Sequence, residues 1–292
     1  MTNFTSRYLT CEGRELHFIE WGAAQGETVI AWHGLARTGR DMDDIAEHLS
    51  ARYRVICPDT IGRGLSQCSP EPDREYCLSF YAALATSLVE QLGLSSVHWL
   101  GTSMGGAIGL RAAATSLRGR IRRLVLNDIG PHLAPAAVQR IRSYAGHPPA
   151  FATVGELEAY FRTVYAPYGF LTDAQWRRLT ETSTRRLPDG RVTPHYDPAM
   201  VRQFEAHPTD YDQWEAWDTL DIPVLCLRGE VSDLILSETT DQLSLRGPGL
   251  RGLAQVVEVP GCGHAPALNV PAQLDLVTTF IQSAKTREML AG

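Results

Sequence analysis

Ser103 stands in Gly101-Thr102-Ser103-Met104-Gly105-Gly106, directly after the apolar run Val97 to Leu100 and directly before a helix-forming stretch. A serine on a sharp strand-to-helix turn has its hydroxyl lifted clear of the sheet, where it can attack a substrate. The flanking glycines keep such a turn free of side-chain collisions. A GxSxG string alone carries little weight, and this context is what makes Ser103 a candidate nucleophile.

A serine hydroxyl is a poor nucleophile until a base takes its proton, and the base must be near in space rather than in sequence. Of the nine histidines, His264 lies in Gly261-Cys262-Gly263-His264-Ala265-Pro266, after the strand-like run Gln255 to Val259 and before the last helical stretch. In a parallel sheet that loop and the serine turn share the carboxyl edge, where open α/β folds place their sites. His33, beside Gly34, reads as a backbone partner. His17 and His98 fall within strands and read as structural.

An orienting carboxylate must hold the imidazole. Asp233, in Arg228-Gly229-Glu230-Val231-Ser232-Asp233, is the first choice, since it follows the strand Pro223 to Leu227 and gives the chain order Ser, Asp, His. Asp128, just beyond the strand Ile121 to Leu126, and Glu230 are the alternatives. Acyl transfer also needs two donors for the developing oxyanion. The amide of Met104 supplies one, and the amide of Leu35, in His33-Gly34-Leu35-Ala36-Arg37 after the third strand, the other. Arg37 could meet a substrate carboxylate, although an arginine near a loop end is more often solvated or ion-paired.

The elements that must position these residues alternate regularly. A hairpin pairs Arg7 to Cys11 with Glu15 to Trp21 about the turn Glu12-Gly13. Strand Thr28 to Trp32, helix Asp41 to Ala51, strand Arg54 to Cys57, helix Leu78 to Leu92, strand Val97 to Leu100, helix Ala107 to Leu117 and strand Ile121 to Leu126 follow. This is an α/β pattern with a largely parallel sheet covered on both faces. It breaks at Gly130-Pro131. From Pro131 to Asp218 no clear strand is expected, while helices such as Val154 to Val164 and Asp173 to Thr182 alternate with proline-bearing loops. Strand and helix resume with Pro223 to Leu227, Ser237 to Leu245, Gln255 to Val259 and a final helix from Ala272 to Ala284. The reading is a core of residues 1–130 and 219–292 with a helical insertion, residues 131–218.

The insertion holds 13 of the 24 Phe, Tyr and Trp residues, more than its share of length. Most of them must build a small helical core, but some, among them Tyr144, Phe161, Trp214 and Trp217, are expected to roof a pocket. The net charge of -6 offers no basic field for nucleic acid or an anionic membrane surface. No apolar run reaches the roughly 18 residues of a membrane span, and Met1 to Cys11 lacks a leader's pattern, so a cytoplasmic protein is expected. The six cysteines form no CxxC pair, so neither structural zinc nor a disulfide framework is expected. The lone lysine, Lys285, carries no argument.

Taken in order, His33-Gly34, Asp59 through Gly62-Arg63-Gly64-Leu65-Ser66, the GTSMGG string, the acid loop at 228 to 233 and Gly263-His264 resemble the α/β-hydrolase family over the whole chain. The resemblance implies Ser103, Asp233 and His264 as the triad, Leu35 and Met104 as oxyanion amides, and residues 131–218 as a lid between the sixth and seventh strands of the sheet. Epoxide hydrolases and haloalkane dehalogenases of the family use an aspartate at the elbow, which Ser103 replaces. Its carbon–carbon bond hydrolases usually have a more glycine-rich loop than residues 33–37, and its perhydrolases often carry an aromatic residue where Leu35 stands. The expectation is a serine esterase that needs no cofactor and acts on a small-molecule ester. The alternatives are a lactonase or carbon–carbon bond hydrolase and, in a different class, a non-catalytic ligand-binding protein of the same fold.

Overall fold

The computed structural model describes residues 4–283. The expected end of the last helix at Ala284 and the lone Lys285 lie outside the described residues. Strands β1 (Phe4–Cys11) and β2 (Arg14–Trp21) form the expected hairpin. They lead into β3 (Thr28–Trp32), β4 (Arg54–Pro58), β5 (Val97–Thr102) and β6 (Ile121–Asn127). After the insertion, which holds the short strands β7 (Thr184–Arg186) and β8 (Val192–Pro194), come β9 (Val224–Gly229) and β10 (Ala254–Val259). The main sheet runs β1-β2-β4-β3-β5-β6-β9-β10. It is antiparallel at β1-β2 and β2-β4 and parallel from β4 onward.

The inner strands read as continuous apolar runs because both faces are covered. Every residue of β3 and β4 is buried. Helices Leu78–Gln91 and Met104–Ala114 pack into one apolar layer with Trp32, Trp99 and Leu126. Helices Asp43–Leu49 and Pro271–Gln282 pack into the other with Val29, Val55 and Leu225. The helix expected from Asp41 is preceded by a 3-10 turn, Gly39–Met42. A side chain on Gly39 would bring its Cβ within 2.5 Å of the Cys57 carbonyl oxygen, so the chain enters this helix pressed against β4.

Between β6 and β9 the chain leaves the sheet. Helices Val154–Val164 and Asp173–Thr182 match the sequence reading and share their own apolar cluster of Leu157, Phe161, Tyr165, Trp176, Leu179 and Val192. The expectation of no strand here is corrected by β7 and β8, an antiparallel pair three residues deep. Such short strands show no periodicity, but Pro188-Asp189-Gly190 is a turn signal, closed by Gly190 N–H donating to the Leu187 carbonyl at 2.9 Å. The insertion is tied to the loop after β4. Gly64 N–H donates to the His195 carbonyl at 3.1 Å and Asp197 N–H to the Gly62 carbonyl at 2.7 Å. Among the described residues no helix is long and apolar enough to cross a membrane.

Candidate active site

Ser103 directly follows β5 with φ 51° and ψ -120°, a backbone conformation that costs a non-glycine residue about 1–3 kcal/mol and persists only where its surroundings enforce it. The enforcement is visible. Ser103 N–H donates to the Asn127 carbonyl at 2.9 Å, and the turn is packed against β3 so closely that a Cβ on Gly105 would sit 2.2 Å from the Trp32 carbonyl oxygen. A side chain at position 105 would push the elbow off the sheet.

His264 follows β10 and reaches back over that edge. Its Nε2 lies 3.0 Å from Ser103 Oγ and its Nδ1 lies 2.6 Å from Asp128 Oδ2. An ionised carboxylate only accepts, so Nδ1 carries the proton and Nε2 accepts from the serine hydroxyl. The arrangement can take a proton from Ser103 and hold it beside a buried negative charge.

The carboxylate in contact with His264 is Asp128, and the expectation for Asp233 is corrected on this point. Asp128 directly follows β6, with φ 53°, and is fully buried. Its Oδ1 accepts from Gly229 N–H at 2.8 Å, and its Oδ2 accepts from Ser232 Oγ at 2.7 Å as well as from His264. Asp233 instead lies half exposed, with Oδ2 2.6 Å from Arg140 Nη2. The chain from the end of β9 turns so that Gly229 and Ser232 face Asp128 as donors, while Asp233 lies on the cavity wall away from the imidazole. Glu230 caps the other loop, accepting from Gly261 N–H at 2.8 Å.

Leu35 and Met104 both line the space beside Ser103, and neither amide donates to a backbone carbonyl in the turns and loops among the described residues. The Met104 amide also opens a helix, whose N-terminus favours negative charge. His33 holds the Leu35 loop from below. Its Nδ1 lies 2.6 Å from the Gly34 carbonyl, and its Nε2 accepts from Thr60 N–H at 2.9 Å. Burial pushes its pKa down to about 4, so it stays neutral and serves the backbone, as its neighbour Gly34 suggests.

Arg63 does work at the site that the sequence reading did not assign. Its buried guanidinium donates through Nε to the Leu35 carbonyl at 2.8 Å and through Nη1 to Tyr81 Oη at 2.9 Å, while Nη2 lies 3.6 Å from Met104 Sδ. One side chain thus touches both residues of the expected oxyanion pair. The signal was the Gly62-Arg63-Gly64 run after β4, where two glycines flank a single arginine.

A cavity of about 430 Å³ opens over Ser103 and His264, walled by Arg37, Arg140, Tyr144, Tyr165 and Tyr168. Arg37 is buried there. Its Nε and Nη2 grip Asp41 at 2.6 and 2.7 Å, and its guanidinium carbon lies 4.5 Å from the centre of the Tyr165 ring. Burial opposes its charge, but Asp41, Tyr165 and Tyr168 together outweigh this and hold its pKa well above the ordinary value. Of the four insertion aromatics expected at the roof, only Tyr144 lines this cavity. Phe161 is fully buried in the core of the insertion, Trp217 is fully buried with Nε1 donating to the Arg246 carbonyl at 3.1 Å, and Trp214 lies under the Arg246 guanidinium at 4.5 Å. The aromatic richness mostly builds and anchors the insertion.

The fold and this edge constellation define a hydrolase, and the chain belongs to the α/β hydrolase family, whose model matches residues 29–274. It is 38% identical to the 3-hydroxybutyrate-oligomer hydrolase of Cupriavidus necator over 91% of this chain and 92% of that one. It is 26% identical to the 2-(acetamidomethylene)succinate hydrolase of Mesorhizobium japonicum over 96% of each chain. Among solved structures it matches an α/β hydrolase from Novosphingobium aromaticivorans with a TM-score of 0.85 and 31% identity, covering 97% of this chain and 99% of that one.

Proposed function

We propose that the protein is a serine carboxylic-ester hydrolase that works through an acyl-enzyme on small-molecule esters with small to medium apolar acyl groups. The observation that carries this reading is the relay from Ser103 Oγ to His264 Nε2 at 3.0 Å and from His264 Nδ1 to Asp128 Oδ2 at 2.6 Å. Ser103 attacks the ester carbonyl while His264 takes its proton. The oxyanion meets the amides of Leu35 and Met104, as preorganised donors require. His264 then gives the proton to the leaving alkoxide, and water, activated by the same imidazole, releases the acid. Asp128 orients His264 throughout, and residues 131–218 serve as the lid.

The Cupriavidus necator relative is named for hydrolysing 3-hydroxybutyrate oligomers. Such oligomers are chains of hydroxy acids joined by ester bonds, and we extend that substrate class to this protein. Steady-state hydrolysis of p-nitrophenyl butyrate and of the 3-hydroxybutyrate dimer tests the proposal, and both are expected to be turned over. Turnover of a lactone or a diketone acid with no open-chain ester hydrolysed would overturn the open-chain ester reading while leaving the roles of Ser103 and His264 in place.

A further inference from the structure

Ser103 stands between two compartments of very different size and chemistry. The cavity of about 430 Å³ falls in the range of ordinary small-molecule sites and mixes apolar wall residues such as Ile141 and Val164 with Arg37, Arg140, Tyr165 and Asp233. The other compartment is only about 20 Å³, and is lined by Met104, Ile129, Leu133, Val138, Phe204 and Leu234. Ser103 and Leu35 border both. His264 borders only the large one.

That last fact gives the site a direction. In ester cleavage the bond from carbonyl carbon to alkoxy oxygen breaks as the bond from Ser103 Oγ to that carbon forms. The proton taken from Ser103 passes through His264 Nε2 to the departing alkoxy oxygen. The alcohol part of the ester must therefore lie on the side of His264, in the large compartment. The acyl part is left the small apolar one, beside the Leu35 and Met104 amides that receive the carbonyl oxygen. Tyr211, at the same wall, is held by donating its hydroxyl to Gln203 Oε1 at 3.1 Å.

We infer that the site takes a short acyl unit on one side and a long alcohol part on the other, so that a hydroxy-acid oligoester is shortened one unit at a time from its hydroxyl end. The inference rests on the ester-hydrolase reading above. An oligoester is asymmetric in the required sense: at its first ester bond the acyl part is a single unit, and the alcohol part is the remainder of the chain with its carbonyls and terminal carboxylate. Arg140 and Asp233, a half-exposed and so weakly held pair, both line the large side, where the Arg140 guanidinium can turn from Asp233 to such acceptors.

The test uses a 3-hydroxybutyrate trimer carrying ¹³C only in its carboxyl-terminal unit, with initial products read by mass spectrometry. Unlabelled monomer and labelled dimer are expected as the first products. Labelled monomer and unlabelled dimer as first products would overturn the inference. Two series of simple esters decide the same point without the oligomer. Lengthening the acyl chain from four to ten carbons on a fixed ethyl alcohol should lower kcat/KM at least about tenfold, because the chain outgrows its compartment. Lengthening the alcohol over the same range on a fixed acetyl group should change kcat/KM less than about threefold. Val138→Ala should move the acyl optimum to longer chains and leave the alcohol profile unchanged, and Phe204→Ala is a second variant with the same expectation. Equal or reversed tolerance of the two series contradicts the direction alone. Failure to hydrolyse any ester removes the ester reading and this inference with it.

Discussion

Ser232 Oγ donates at 2.7 Å to Asp128 Oδ2, the same oxygen that lies 2.6 Å from His264 Nδ1. The loop after β9 is therefore hydrogen-bonded to the imidazole through Asp128, and its own acidic residue, Asp233, lies on the cavity wall paired with Arg140. Three donors converge on one buried carboxylate: Gly229 N–H, Ser232 Oγ and His264 Nδ1. They fix its rotamer, and through it the plane of the imidazole.

Asp128→Asn keeps the size of the side chain but lets its amide nitrogen face His264 and favour the wrong tautomer. The corresponding change in serine proteases costs on the order of 10⁴ in turnover. We expect at least about a 10²-fold fall in kcat for Asp128→Asn and less than about a threefold change for Asp233→Asn. Ester kinetics on both variants, with folding checked by circular dichroism, decide the point. The opposite ranking would return the orienting role to Asp233.

Most of what positions this site is legible in the sequence because it is local. The strand-turn-helix context of Ser103 and the loop position of His264 follow from apolar runs and glycines within a few residues. The choice between Asp128 and Asp233 is not local, since each follows a strand at the same sheet edge. Only the path of residues 229–233, with Gly229 N–H turned to Asp128, separates them. The insertion aromatics fail for a related reason. Phe161 and Trp217 have the type expected of a pocket wall, but residue type does not say which face of a helix meets the core, and both are buried away from the cavity. The β7-β8 hairpin is too short for its strands to show a period.

Arg63 positions rather than reacts, and its replacement should show this in the kinetics. Lysine cannot reproduce a planar fork that reaches the Leu35 carbonyl, Tyr81 and Met104 together. Arg63→Lys should lower kcat about tenfold or more with KM little changed, because the oxyanion donors matter most in the transition state. A fall in melting temperature with kcat preserved would make the role of Arg63 structural only.

His33 makes stability depend on pH in a defined window. Its folded pKa, depressed to about 4 by burial, lies below the ordinary 6.5. Between these values the unfolded chain binds a proton that the folded chain refuses, so the contribution is fully present above pH 6.5 and is lost as pH falls towards 4. Between pH 7 and pH 5 the loss should be roughly 2 kcal/mol. Urea unfolding at the two pH values measures it. His33→Asn should flatten this dependence by a similar amount whatever it does to stability at pH 7, and an unchanged slope would contradict the assignment.

The central claim is that Ser103 is a nucleophile activated by His264. Treating the folded protein with an alkyl fluorophosphonate and mapping the adduct by mass spectrometry tests it most directly, because only an activated serine reacts rapidly with such a probe. The account predicts one adduct, on Ser103, absent in Ser103→Ala and formed at least about 10²-fold more slowly in His264→Ala. No adduct on the folded protein, or one on a different residue, would contradict it.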